Sequence, residues 1–175
     1  RPFHTKKTLD SLSNCDGAIK IPLIAFVDGP RRPSEKYKVD NVKEIIESYS
    51  GKFKSIEVYS SSLNKGCDAS IKDGINQAFK SYDKIIVLED DIIVGENFYN
   101  SMDKALKKNE NEKRIFQING FNFNIPKLIN EQNLNKFFLF RVQFTWGWAT
   151  WKDRWMLMQN DPLSQDPYFL MESMS

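Results

Sequence analysis

The chain has 175 residues, 41% hydrophobic and 27% charged, with a formal net charge of +2, which fits one soluble globular domain with a sizeable core and is too short for two ordinary ones. Its basic runs (Lys6-Lys7, Arg31-Arg32, Lys107-Lys108) are short and interspersed with acids, so no nucleic-acid-binding tail is present, and no apolar run reaches the ~18 residues of a membrane helix. Two cysteines without CxxC spacing (Cys15, Cys67) exclude a disulfide framework or a zinc site of their own and fit a reducing compartment, and a single histidine, His4, leaves almost no room for a His-rich metal centre or a Ser-His-Asp triad.

Residues 4–14 read as a helix with Leu9 and Leu12 on one side. The continuous apolar run 21–27 (IPLIAFV), stopped by Asp28-Gly29-Pro30, predicts a strand buried on both faces. Residues 34–49 carry Val39, Val42, Ile45, Ile46 and Tyr49 at helical spacing, with Ser34 as the expected N-cap behind Pro33. A strand over 53–59, a helix over 68–80 and a second buried strand over 84–88 (KIIVL) follow. A helix over 96–108 and a strand over 114–118 complete the alternation, which predicts an α/β domain with a mainly parallel sheet flanked by helices. After Gly120 the texture changes: a polar, Asn-rich stretch over 121–135, a strand over 137–144, and an aromatic-dense segment over 145–155 running into a helix. The residues beyond 159 are poorly patterned. A sheet of this kind normally starts with a strand, whereas this chain starts at a helix and without Met. It is therefore expected to be one domain, 1–175, trimmed at its ends.

In open α/β sheets, ligands bind outside the carboxyl ends of the strands. Asp28 ends the first predicted strand, and Glu89-Asp90-Asp91 ends the third. Adjacent carboxylates repel and raise one another's pKa unless a cation or strong donors compensate them. Mg2+ and Mn2+ prefer oxygen ligands, often one or two carboxylates together with substrate phosphates. The acidic triplet is thus a natural clamp for a metal–diphosphate; the competing reading is a solvated loop, or a cap for the next helix. Asp28-Gly29-Pro30 serves equally as plain turn chemistry. Asn64-Lys65-Gly66 is either a turn or a close approach of backbone to a nucleotide.

All four tryptophans lie between positions 146 and 155. Trp148, Trp151 and Trp155 fit one helical face, which favours core packing for Trp151 and Trp155. Trp146-Gly147-Trp148 has a second reading, because indole faces stack on sugar C–H faces and Gly allows close backbone approach.

Taken together, Arg1-Pro2 with HTKKTLDSL, Asp28, LNKG at 63–66, IIVLEDDIIVGENF at 85–98 and WGWATWKDRW at 146–155 resemble bacterial sugar transferases of GT-A fold. These are similar to the N-acetylglucosaminyltransferase I family, whose members carry a Glu-Asp-Asp version of the DxD motif. The resemblance implies a nucleotide-sugar-binding half over 1–120 and the start of an acceptor-side half over 121–175. It implies Asp91 on Mn2+ or Mg2+ bound to a UDP diphosphate, Glu89 on the ribose, Asp90 on the transferred sugar and Asp28 on the uracil. Arg1, Asn64 and Gly66 would lie near the nucleotide, and Trp146, Gly147 and Trp148 would border donor sugar and acceptor. The reaction implied inverts the anomeric centre, with a carboxylate base on the acceptor hydroxyl. Family members take that base from a Trp-Asp-type motif well after the WGW segment. This chain has no such motif, Asp161 and Asp166 are candidates by position only, and the base is unassigned.

Two other functions compete. One is a nucleotide-sugar-binding or scaffold domain without turnover, motivated by the missing base motif. The other is a Mg2+-dependent phosphoryl-transfer or receiver-like domain, in which the WGW segment has no purpose. The many Lys, Asn and Ile residues fit an AT-rich bacterial genome, so the expected setting is cytoplasmic synthesis of capsule, lipopolysaccharide or glycoprotein glycans, with the inner face of the membrane as a further option. The expected partners are a UDP-sugar and a glycan or other acceptor.

Overall fold

The structure, a computed structural model, describes residues 1–121 and 144–160. The expected alternation is present. Helix α1 (Pro2–Ser13), strand β1 (Pro22–Val27), helix α2 (Lys36–Glu47) and strand β2 (Ser55–Ser60) come first. Helix α3 (Cys67–Ala78), strand β3 (Lys84–Val87) and helix α4 (Phe98–Lys108) follow, then β4 (Ile118–Asn119), β5 (Trp148–Trp151) and α5 (Lys152–Asn160). Short 3₁₀ turns occupy Ala18–Lys20 and Pro33–Glu35. Ser34, expected to cap α2, lies inside the second of these turns, and α2 starts from Glu35 without a side-chain cap. The strand expected over 137–144 falls outside the described residues except for Phe144, and Asp161 and Asp166 lie outside them too.

The expectation of one mainly parallel sheet is corrected. Among the described residues, only β1 and β2 pair in parallel, from Pro22 opposite Ser55 to Val27 opposite Ser60. The other sheet has the order β3–β5–β4, antiparallel throughout. The cause is β5, which the sequence pattern reads as the approach to a helix. It inserts between β3 and β4, so a strand from the expected acceptor-side half becomes the centre of a sheet in the nucleotide-side half. The strand expected over 114–118 shrinks to Ile118–Asn119, because a turn from Glu112 to Ile115 closes first.

The tryptophans follow the period of a strand rather than a helix. Residues three apart in a strand project to opposite faces. Trp148 therefore packs with Ile75, Phe79 and Trp155 on one side, while Trp151 and Ala149 join Met102, Ala105, Leu106 and Ile118 on the other. On β3, Ile85 and Val87 face the first group and Ile86 the second. A third cluster lies between β1–β2 and the first two helices, with Leu23, Ala25 and Val27 of β1 packed against Leu9, Val42, Ile46 and Phe53.

The opposite face of β1 is not fully buried as expected. Phe26 on that face stays 39% exposed. Its ring crosses Gly74 of α3 so closely that a Cβ there would come within 2.9 Å of it. Helix α3 contacts both β1 and β3 and so joins the two sheets. The start of α5 is held by Arg154, only 1% exposed, whose Nη2 donates to the carbonyls of Asn109 (3.3 Å) and Glu110 (2.6 Å) and whose guanidinium lies 4.1 Å from the Trp151 ring centroid.

Candidate functional site

Strand β3 ends at Val87, and after Leu88 the chain turns. The N–H of Ile92 donates to the carbonyl of Glu89 (3.3 Å), which places Asp90 and Asp91 in the middle of the turn. Side chains at the two central positions of a turn both point outward, whereas in a continued strand they would alternate. The carboxylates of Asp90 and Asp91 consequently converge, and what they meet is Arg1. Its Nη2 lies 2.5 Å from Asp90 Oδ1 and 2.9 Å from Asp91 Oδ2. One nitrogen touches both acids, as a point cation does. The hydrogen bond and charge of Asp90, then those of Asp91, raise the Arg1 pKa above its ordinary value despite slight desolvation.

Arg1 is aimed by α1. Pro2 occupies the first helical position, where its fixed φ is preset for a helix and its missing N–H is no loss. The Arg1 carbonyl accepts from the Thr5 N–H (3.0 Å), leaving the side chain free to reach out. The far end of α1 pins the segment after the turn. Ser11 Oγ accepts from the Val94 N–H (3.1 Å), Cys15 Sγ donates to the Gly95 carbonyl (3.3 Å), and the Asp16 N–H donates to the Glu96 carbonyl (3.0 Å). The acidic turn is therefore bracketed by α1, with Arg1 on its carboxylates and the far end of the helix on the residues that follow it.

The crowding of three carboxylates expected here is corrected to two. Arg1 pairs with Asp90 and Asp91, and among the described residues no three His, Cys, Asp or Glu side chains are placed to hold a metal ion by themselves. Glu89 sits at the base of the turn. The β3–β5 register ends at Val87 opposite Trp148, and just beyond it Leu88 lies close to Gly147. The Leu88 side chain would lie 3.2 Å from a Cβ at Gly147, whose φ of +70° favours glycine. Trp146 is 50% exposed and meets Phe121 edge to face at 4.8 Å. Gly147 thus packs beside Leu88, the residue that precedes Glu89-Asp90-Asp91. Trp148 is 7% exposed and part of the core, so its indole presents no face to a ligand, and the sugar-facing reading narrows to Trp146 and Gly147.

Asp28 does different work. Its Oδ1 accepts from the N–H groups of Gly29 and Lys65 (both 2.9 Å), and its Oδ2 from Lys65 (3.1 Å) and Gly66 (3.0 Å). Partial burial pushes its pKa up, but the N–H donors of Lys65 and Gly29, with smaller contributions from the Ser70 hydroxyl and Gly66, outweigh that and hold it below the ordinary value. The Ser70 hydroxyl lies near without meeting hydrogen-bond geometry. Asn64 Nδ2 adds a bond to the Gly29 carbonyl (2.8 Å). Gly29 and Leu63 approach so closely that a Cβ on Gly29 would fall 2.5 Å from the Leu63 carbonyl carbon. Asp28, Asn64 and Gly66 therefore build one joint between the carboxyl ends of β1 and β2.

That joint borders a cavity of about 510 Å3, lined among others by Phe26, Asp28, Tyr59, Lys65 and Asp73. Phe26 and Tyr59 stack at 5.3 Å, as their positions opposite each other in the parallel register require. Asp90 and Asp91 do not line it. Sequence reasoning missed this aromatic pair, since only the register brings the two rings together. It named Lys65 within the 64–66 turn but missed the pairing of its ammonium with Asp73 at 2.7 Å. A Lys and an Asp eight positions apart across a loop give no local signal.

The model of glycosyltransferase family 25 (LPS biosynthesis protein) matches residues 17–165. The chain belongs to that family and is a glycosyltransferase. No curated protein and no solved structure matches it. The sugar-transfer expectation is met at this level, by family 25 rather than by the N-acetylglucosaminyltransferase I group named from the motifs. Among the described residues no helix is long and apolar enough to cross a membrane.

Proposed function

We propose that this chain binds a nucleotide-sugar donor, UDP-linked, with its diphosphate at the Asp90–Asp91 turn, and passes the sugar to a saccharide acceptor of the lipopolysaccharide class. The observation that carries the reading is the convergence of two fixed carboxylates on a single cationic nitrogen. Their donor set fits Mg2+ or Mn2+: hard oxygens, two in number, with room left for phosphate oxygens. Asp90 and Asp91 would hold the ion. When bound, such an ion neutralises the charge that develops on the departing diphosphate.

The chain's own residues supply the rest. The β3 turn, held by α1, fixes where the diphosphate sits, so little reorganisation accompanies reaction. Trp146, half exposed just before β5, offers an indole face to the donor sugar. Asp28 serves the nucleoside indirectly: its acceptor positions are filled by backbone N–H groups, so it shapes the loop at 63–66 beside the cavity. A cavity of about 510 Å3 is of the size that takes a nucleoside. The GT-A-like layout named from the motifs and an inverting displacement belong to the same reading. The acceptor proton would go to a carboxylate that the described residues do not identify.

Calorimetric titration of UDP in the presence of Mn2+ tests this. Asp91→Ala is expected to weaken UDP binding at least tenfold while chelation of Mn2+ does the same to the native protein. Unchanged affinity in that variant would sink the proposal.

A further inference from the structure

We infer that Arg1 is a built-in stand-in for the divalent ion: its guanidinium occupies the cation position between Asp90 and Asp91 in the free protein and has to leave when metal enters. The inference rests on the metal reading of the acidic turn given above. Three observations carry it. A single nitrogen, Nη2, bridges both carboxylates, so the position it fills is the one a shared cation needs. The Arg1 side chain and both carboxylates are accessible, at 56%, 41% and 36%, so nothing locks the pair in place. The backbone of Arg1 is fixed independently by Pro2 and by the Thr5 N–H bond, so the side chain can swing without unravelling α1.

Physical chemistry gives the device two consequences. Two carboxylates held side by side repel, and a cation from the chain itself keeps the turn intact before any ligand arrives. Accessible ion pairs contribute little, so a divalent ion displaces the guanidinium easily. Once displaced, the guanidinium remains tethered beside the turn, where a diphosphate adds negative charge and bidentate oxygens that suit an arginine fork. Arg1 therefore opposes metal binding in the free protein and favours it once diphosphate is present. Metal binding is thereby coupled to nucleotide binding.

Arg1→Gln separates these effects, with binding of Mn2+ read from the loss of the free-ion electron paramagnetic resonance signal, with and without UDP. Circular dichroism confirms the helix content of the variant. The variant is expected to bind Mn2+ alone up to about fivefold more tightly than the native chain, the factor that an accessible ion pair corresponds to. With UDP present the order is expected to reverse, the variant binding the Mn2+–UDP pair more weakly. Arg1→Lys, which keeps the charge, is expected to stay close to the native chain for Mn2+ alone. Equal or weaker binding of Mn2+ alone by Arg1→Gln, with native binding intact and lost in Asp91→Ala, overturns the stand-in role and leaves the metal reading standing. Absence of Mn2+ binding by the native chain, with or without UDP, overturns the metal reading and the stand-in role with it.

Discussion

At the scale of single residues, the chemistry of the site is carried by how a few carboxylates are partnered. Asp28 meets four backbone N–H contacts and is held below its ordinary pKa, whereas among the described residues Asp90 and Asp91 meet the accessible guanidinium of Arg1. The first arrangement stabilises the fold and the second leaves room for a ligand. Asp28→Asn keeps the size of the side chain but turns one acceptor into a donor facing N–H groups, so it is expected to destabilise the domain by about 1–3 kcal/mol. Because the folded pKa lies below the unfolded value of 3.8, the contribution of Asp28 is fully present above that value. It disappears as pH falls through the lower folded value. Urea unfolding at pH 7 and at pH 3 should therefore show a gap between native protein and variant that narrows in acid; a constant gap would contradict this account of Asp28. Both acidic positions were legible in the sequence as strand-end carboxylates. Their partners were not, because Arg1 is 90 positions from Asp91 and Lys65 is 37 from Asp28, and no local pattern reports such contacts.

At the scale of elements, the helices and the early strands were legible because their periods are unambiguous. The Trp segment was not. WATW (148–151) contains no turn signal and its tryptophans fit a 3.6-residue period, yet antiparallel pairing with β3 overrides that local preference. The tertiary structure then needs Arg154, buried at the start of α5, to satisfy the carbonyls that end the α4 region. Arg154→Ala leaves those carbonyls unpaired and strips the Trp151 ring of its cationic neighbour. It is expected to cost about 2–4 kcal/mol and to lower the melting temperature accordingly, while Lys152→Ala, exposed on the same helix, changes stability by less than about 0.5 kcal/mol. Equal melting temperatures for the two variants would mean that α5 is not anchored in this way.

At the scale of the whole molecule, the α/β class followed from the order of apolar and amphipathic segments, but the division into a parallel pair and an antiparallel triplet did not, since it depends on where β5 inserts. That insertion brings Gly147, far along the chain, against Leu88, just before the acidic turn whose carboxylates meet Arg1. The account stands on the turn after β3 being where a doubly charged ion meets the donor. A crystal soaked in Mn2+ and UDP and measured at a wavelength where manganese scatters anomalously tests this directly. The account expects one strong peak between the Asp90 and Asp91 carboxylates, with the Arg1 side chain moved away; a nucleotide seen without a peak there, or a peak at some other group of oxygens, would contradict it.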